Sequence, residues 1–280
     1  SSDEAYGFQV QVPQTEGWFG EVEHKRLGKN YSPALGFVNR PGIRESEIDL
    51  GYRLLPKDSR LQSLRWTLWA GGTTNLAGST ESQYVYLEPL QVVNQTDDQF
   101  AVYIARIREV LIAPFEISDA VVINPGDYRW DKVEIDLSTG DQRAVAADLF
   151  VGHGDFYDGD RLEAYADLRW QPSKHLSLSG GIEFNEIRLE SGEFITRLMN
   201  LRTDVAFSSA WSWTTLAQYD NDSAELSVNS RLRWIPRAGR ELLVVVNHGF
   251  LVEDREDRFR RSWRSLESDV VAKMSYTFRY

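Results

Sequence analysis

The chain has 280 residues with 42 Asp and Glu against 31 Lys and Arg, a formal net charge of −11 that argues against nucleic-acid binding. It has no cysteine, which excludes disulfides and thiolate metal sites, and no apolar run approaches the ~20 residues of a membrane-spanning helix. The length suits one large β domain, so we expect residues 1–280 to form a single domain.

Segments that alternate apolar and polar residues recur along the chain, and none shows the period of an amphipathic helix. The clearest are, in chain order, IDLGYRLL (48–55), RLEAYADLRW (161–170), HLSLSGGIEF (175–184) and AELSVNSRLRW (224–234). Turn signals such as GDFYDGD and YDNDS separate them. About fifteen strands with mostly short links predict an antiparallel all-β fold. Longer, less regular links are expected around residues 28–43, 113–127 and 253–263.

One segment suggests what the apolar face meets. In AWSWTTLAQY, Trp211 and Tyr219 lie on one face, eight residues or roughly 26 Å apart. That span approaches the ~25 Å apolar band between the two aromatic girdles of a membrane β-barrel. A soluble β-sandwich also alternates, and remains the alternative.

The polar faces carry both signs of charge within single strands. In a barrel these side chains would face the lumen, and the candidates are Glu163, Asp167, Arg169, Glu225, Arg231, Arg233, Glu267 and Lys273. We therefore predict an antiparallel transmembrane β-barrel of about 14–16 strands, on its own or as part of a larger barrel.

The last stretch, VVAKMSYTFRY (270–280), alternates up to an aromatic final residue. It resembles the C-terminal signal strand of outer-membrane proteins, with Tyr276, Phe278 and Tyr280 as the aromatic positions. The resemblance implies recognition by the barrel-assembly machinery and pairing of this strand with the first one. Closure would also remove an exposed strand edge.

Several stretches resemble an uncharacterised bacterial outer-membrane family, domain of unknown function 5916. They are NYSPALGFVNRPGIRE (30–45), LAQYDNDS (216–223), NSRLRWIPRAGRELLVVVN (229–247) and KMSYTFRY (273–280). The resemblance is good over about 200–280 and patchy before that. Pro236 stands where the family usually has tyrosine, and the family's domain resembling family-9 carbohydrate-binding modules is absent. The resemblance implies an outer-membrane barrel lacking N-terminal strands or an N-terminal periplasmic domain.

No pattern in the chain singles out a reaction. The four histidines form no metal-binding spacing, and no local set of Ser, His and Asp stands out, so we predict no enzyme and no cofactor. Asp155, Asp158 and Asp160 form an oxygen-rich run, which could hold calcium. A turn is the favoured interpretation, because the spacing departs from a calcium loop. The basic stretch RFRRSWR (258–264) could contact lipopolysaccharide phosphates, although a solvated loop is favoured.

These observations predict a non-enzymatic protein of the bacterial outer membrane, either a porin-like conduit or a membrane anchor in an envelope assembly. Its expected partners are outer-membrane lipid, lipopolysaccharide, the barrel-assembly machinery and other envelope proteins, with no nucleic acid. One alternative is a barrel subunit that acts mainly as an interaction scaffold in a larger complex. Another is a soluble carbohydrate-active β protein.

Overall fold

The computed structural model of the chain describes residues 4–33, 38, 40–57, 60–118, 121–254 and 261–277. Within these residues the regular structure consists of strands. The strands in the first half are β1 (Ala5–Val12), β2 (Gly17–Leu27), β3 (Ile43–Leu54), β4 (Leu61–Asn75), β5 (Thr80–Asn94), β6 (Gln99–Leu111), β7 (Phe115–Ser118), β8 (Val121–Ile123) and β9 (Gly126–Ser138). Those in the second half are β10 (Val145–Phe156), β11 (Gly159–Ser173), β12 (Leu176–Leu189), β13 (Gly192–Ala206), β14 (Trp211–Asp220), β15 (Glu225–Arg237), β16 (Arg240–Asp254) and β17 (Arg261–Tyr276).

Fifteen of the strands form one sheet in which they follow one another in chain order, with β7 and β8 left out between β6 and β9. The order is β1-β2-β3-β4-β5-β6-β9-β10-β11-β12-β13-β14-β15-β16-β17. Its registered pairs, from β1–β2 to β16–β17, are antiparallel. The all-β antiparallel prediction is confirmed, and the strand number falls within the predicted range. No helix in the described part of the chain is long and apolar enough to cross a membrane.

The long link after β6 differs from the prediction. The sequence predicts an irregular connection over residues 113–127, but β7 and β8 lie within it and form a separate two-stranded sheet. Phe115 pairs with Ile123, and Glu116 pairs with Val122. β2 ends at Leu27 and β3 begins at Ile43, which confirms the link predicted around residues 28–43. Of the link predicted around residues 253–263, residues 255–260 lie outside the described residues, and residues 253–254 and 261–263 belong to β16 and β17.

A bulge in β5 changes which side chains share a face. The register with β4 shifts between Thr67 opposite Glu88 and Arg65 opposite Gln91. Pro89 lies within this shift, and proline lacks the N–H that a regular ladder requires. Since the bulge changes the alternation, Glu88 and Gln91 are both buried although they are three residues apart.

The chain separates into two compact units. Unit 1 comprises Ser1–Leu137, Phe150–Leu162 and Glu186–Phe194, and unit 2 comprises Ser138–Leu149, Glu163–Asn185 and Ile195–Tyr280. In unit 1 the longer links 28–42 and 112–125 lie at one end of the strands, which we call the long-link end. The links 13–16, 55–60 and 95–98 lie at the opposite, short-link end. These ends follow from the alternating direction of the strands.

Candidate functional site: the two faces of the sheet

In unit 1 one face of the sheet exposes many aliphatic side chains, and several polar side chains are buried on the opposite face. Ile48 and Leu50 are 40% and 43% exposed, whereas Glu88 and Thr67 are 0% and 3% exposed. We call the face with exposed apolar side chains the outer face and the opposite one the inner face. A protein folded in water normally has the reverse arrangement.

Aromatic side chains form a row on the outer face of unit 1 at the short-link end. Trp18 pairs with Tyr52, and Tyr52 pairs with Trp66, so the three rings lie side by side on β2, β3 and β4. The ring centroids are 5.3 Å apart for Trp18 and Tyr52 and 6.4 Å apart for Tyr52 and Trp66. Aromatic rings with one polar end are the side chains that membrane interfaces favour.

Aliphatic residues follow the aromatic row, and charged residues follow them. On β3 the outer face continues from Tyr52 through Leu50 and Ile48 to Ser46 and Arg44. Tyr52 and Arg44 are eight residues apart, which is roughly 26 Å along a strand. The length of this gradient matches the ~25 Å apolar band of an outer-membrane barrel.

Ion pairs occupy the long-link end of the same face on β6 and β9. Arg106 donates to both carboxylate oxygens of Asp131 at 2.7 and 2.6 Å, and Arg108 does the same to Asp127 at 2.8 Å for both bonds. The next outer residue on β6, Ile104, is 46% exposed. The border between apolar and charged residues is therefore sharp on these strands as well.

Unit 2 carries a similar outer face. Trp211 and Trp234 pair across β14 and β15, with stacked rings whose centroids are 5.3 Å apart. On the next two strands, β16 and β17, Phe250 lies edge-on to Trp263 with ring centroids 6.1 Å apart. Tyr219 lies on the same face of β14 as Trp211, at the opposite end of the strand, as the sequence predicts.

The inner face of unit 1 contains a buried ion pair. Arg65 donates to both oxygens of Glu88, from Nε at 2.9 Å and from a terminal nitrogen at 3.0 Å. The Thr67 hydroxyl donates to Glu88 Oε2 at 2.9 Å, and Tyr103 also hydrogen-bonds this carboxylate. Several donors thus compensate for the burial of the charge.

Aromatic side chains gather on the inner face at the long-link end of unit 1. Tyr157, in the turn between β10 and β11, packs on Trp130 with centroids 4.9 Å apart and on Tyr128 at 5.1 Å. Its hydroxyl donates to Glu109 Oε2 at 2.7 Å. Burial, together with the hydrogen bond to Glu109, raises the pKa of the Tyr157 phenol, so the hydroxyl stays a donor at neutral pH.

Three of the predicted lumen residues lie on β11 in unit 2. Glu163, Asp167 and Arg169 are half-buried, whereas Leu168 and Trp170 are 55% and 49% exposed. Arg169 forms an ion pair with Asp141 at 2.8 Å. The alternation between shielded charges and exposed apolar residues agrees with the predicted faces, and the lumen itself stays a prediction.

The other five predicted lumen residues lie on β15 and β17. Arg233 pairs with Glu241 at 2.8 Å, and Arg231 donates to Asn229 Oδ1 at 2.7 Å. Glu225 and Glu267 line one concavity of about 500 Å³, together with Gln218, Ser227, Asn229, Asn247 and Asp269. Lys273 is exposed. The structure thus brings Glu225 and Glu267 together and gives Arg233 a carboxylate partner on the next strand.

The remaining predicted positions are dispersed. Asp155 is exposed at the end of β10, the Asp158 carboxylate accepts the backbone N–H of Glu190 at 3.4 Å, and Asp160 lies 3.8 Å from Arg188. Across the described ranges no three acidic or histidine side chains are arranged to hold a metal ion.

The C-terminal signal and the basic stretch are only partly described. Arg240 donates to the Tyr276 hydroxyl at 2.9 Å and covers its ring at 4.7 Å. Phe278 and Tyr280 lie outside the described residues, as do residues 258–260 of the basic stretch and much of the 33–40 loop. The roles proposed for these positions stay predictions.

The sequence pattern does not identify two groups of inner-face residues. The first is the Arg65–Glu88–Thr67 cluster. Its sequence signal is Pro89, which directly follows Glu88 and interrupts a segment that otherwise alternates apolar and polar residues. The second is the pair Val121 and Ile123, whose exposed fractions are 1% and 0%. The β-branched run before Asn124-Pro125-Gly126 is the signal that would have located this short strand.

No protein-family model matches the chain, and no curated protein matches it. Among solved structures the chain is similar to the crystal structure of the ferric yersiniabactin uptake receptor FyuA from Yersinia pestis. The TM-score is 0.43 at 17% identity, over 88% of this chain and 52% of the receptor. The chain therefore spans about half the length of that receptor.

Proposed function

We propose that this chain is a non-enzymatic β-barrel protein of the bacterial outer membrane that acts as a porin-like conduit. The observation that carries the proposal is that one face of the sheet exposes aliphatic residues such as Ile48 and Leu50, whereas the charged residue Glu88 is buried on the other face. In water such an outer face would be an aggregation hazard, since soluble monomers rarely expose large contiguous apolar patches. In a bilayer the same face is stabilised by contact with hydrocarbon.

The order of residue types along the outer face supports the membrane part of the proposal. Aromatic, aliphatic and charged rows succeed one another over about the thickness of a bilayer core. The resemblance of residues 200–280 to domain-of-unknown-function family 5916 is part of the same proposal. Lipid and lipopolysaccharide would contact the outer face, and the barrel-assembly machinery would insert the chain.

Tryptophan fluorescence tests the membrane placement. In vesicles of phosphatidylcholine carrying bromine at one depth, bromines near the carbonyl level should quench more strongly than bromines near the bilayer centre. The reason is that Trp18, Trp211 and Trp234 lie within about three residues of a strand end. Heating in detergent should also change the electrophoretic mobility of the folded chain. A chain that is soluble without detergent and unquenched by either lipid would contradict the proposal and favour a soluble β protein.

Charge reversal tests the conduit role. We expect the double variant Arg231→Glu, Arg233→Glu to shift ion selectivity in planar bilayers toward cations, because rings of acidic side chains favour cation passage. The matched control is Arg106→Glu on the outer face, which should leave selectivity unchanged. A barrel that inserts but conducts no ions would instead favour the membrane-anchor role.

A further inference from the structure

The strands β7 and β8, which we call the β7–β8 ribbon, have two unlike faces. Val121 and Ile123 are 1% and 0% exposed, whereas Val122 between them is 40% exposed and lies opposite the exposed Glu116. Val121 and Ile123 form a buried cluster with Ile187 and Leu189 of β12, which are 5% and 9% exposed. One side of the ribbon is therefore seated against the large sheet.

The ribbon is seated on the inner face. On β12 the buried residues Ile187 and Leu189 alternate with Arg188 and Glu190, which are exposed. The partly buried side chains around the cluster come from the ribbon itself, from further strands of unit 1 and from an adjacent turn: Leu111, Ile117, Tyr128, Phe156, Tyr157 and Phe194. The strand Gly126–Ser138 carries Tyr128 two residues before the buried Trp130, on the same face. The ribbon thus covers part of the inner face, with apolar side chains between it and the strands beneath.

Tyr157 makes a second set of contacts beside the ribbon. Tyr157 has a φ of 53°, a left-handed conformation that is uncommon for a residue with a large side chain. This conformation accompanies the packing of its ring on Tyr128, a neighbour of the ribbon, and the hydrogen bond from its hydroxyl to Glu109. Uncommon backbone conformations persist where the surrounding structure determines them.

We propose that the β7–β8 ribbon forms the constriction of the conduit, with Val121 and Ile123 holding it on the inner face. This inference rests on the proposed function. The ribbon takes up room on the inner face, and a narrower passage conducts fewer ions. The wild-type barrel should therefore conduct ions less well than a barrel from which the ribbon has been removed.

Aspartate substitutions on the two faces of the ribbon provide a matched test. The double variant Val121→Asp, Ile123→Asp places carboxylates where no water reaches, so the ribbon should leave the inner face. We expect a several-fold rise in single-channel conductance in planar bilayers. The control Val122→Asp introduces the same charge on the exposed face of the same strand and should keep the wild-type conductance.

A second variant tests the same proposal in case the aspartates prevent insertion of the protein into the bilayer. Replacing residues 113–124 with a Gly-Ser turn of about four residues joins β6 to β9 directly, as in a short β-hairpin. This variant should show the same increased conductance. If both opened variants insert and conduct like the wild type, the constriction is refuted while the conduit stands. If they insert and all forms are silent, the conduit role fails, and if the wild type itself does not insert, the membrane proposal fails.

Discussion

Replacing Arg65 with methionine is expected to destabilise the folded chain by about 3–5 kcal/mol, the usual cost of removing one partner of a buried ion pair. Glu88 has no exposed surface, and Arg65 supplies two of its hydrogen bonds. Methionine fills a similar volume but leaves the carboxylate with only the Thr67 and Tyr103 hydroxyls. The measurement is the guanidinium midpoint of unfolding in lipid vesicles, followed by fluorescence.

Two controls separate charge burial from loss of packing. Arg106→Met removes a bidentate pair of similar geometry whose side chains are 76% and 53% exposed, and the midpoint should barely change. The double variant Arg65→Met, Glu88→Met removes both charges and should recover most of the loss, because two apolar groups leave no unpaired charge. Equal losses in Arg65→Met and Arg106→Met would show that the inner cluster is solvated.

Placing arginine at Ile48 is expected to cost about 2–4 kcal/mol of stability in a bilayer, the range for a charged residue at the midplane of a barrel's lipid face. Ile48 lies on the outer face of β3, between the aromatic row at Tyr52 and the charged row at Arg44. In a protein surrounded by water the same change at an exposed position would stay within about 0.5 kcal/mol. Unfolding in vesicles measures the difference.

Ser46→Arg is the matched control for Ile48→Arg. Ser46 is exposed on the same face of the same strand, two residues nearer the charged row, and its hydroxyl forms a surface hydrogen bond of 2.8 Å with the His24 ring. Its substitution should change the stability much less, because arginine there reaches the headgroup region. Equal, small effects at both positions would contradict a hydrocarbon environment for the outer face.

The sequence pattern predicts the faces of regular strands because alternation is a local property. Leu50 and Tyr52 are exposed and Asp49 is shielded, as IDLGYRLL predicts, and Trp211 and Tyr219 lie on one face as predicted. The number of strands follows from counting such segments and their turns.

The pattern fails where a face is set by contacts that are distant in the chain. Glu88 is inward because a bulge at Pro89 changes the alternation and because Arg65 on the neighbouring strand supplies its partner. Val121 and Ile123 are buried by Ile187 and Leu189, which no local pattern connects to them. The pairing of Arg233 with Glu241 likewise depends on the register of two strands rather than on either strand alone.

The order of the strands has a consequence for how the protein assembles. The strands of the large sheet follow one another in chain order, so little chain entropy is lost as each new strand joins, and growth of the sheet can be fast. The β7–β8 ribbon differs, because its buried residues pack on Ile187 and Leu189 of β12, and β9, β10 and β11 lie between the ribbon and β12 in the chain. Docking of the ribbon therefore requires that β12 is already in place.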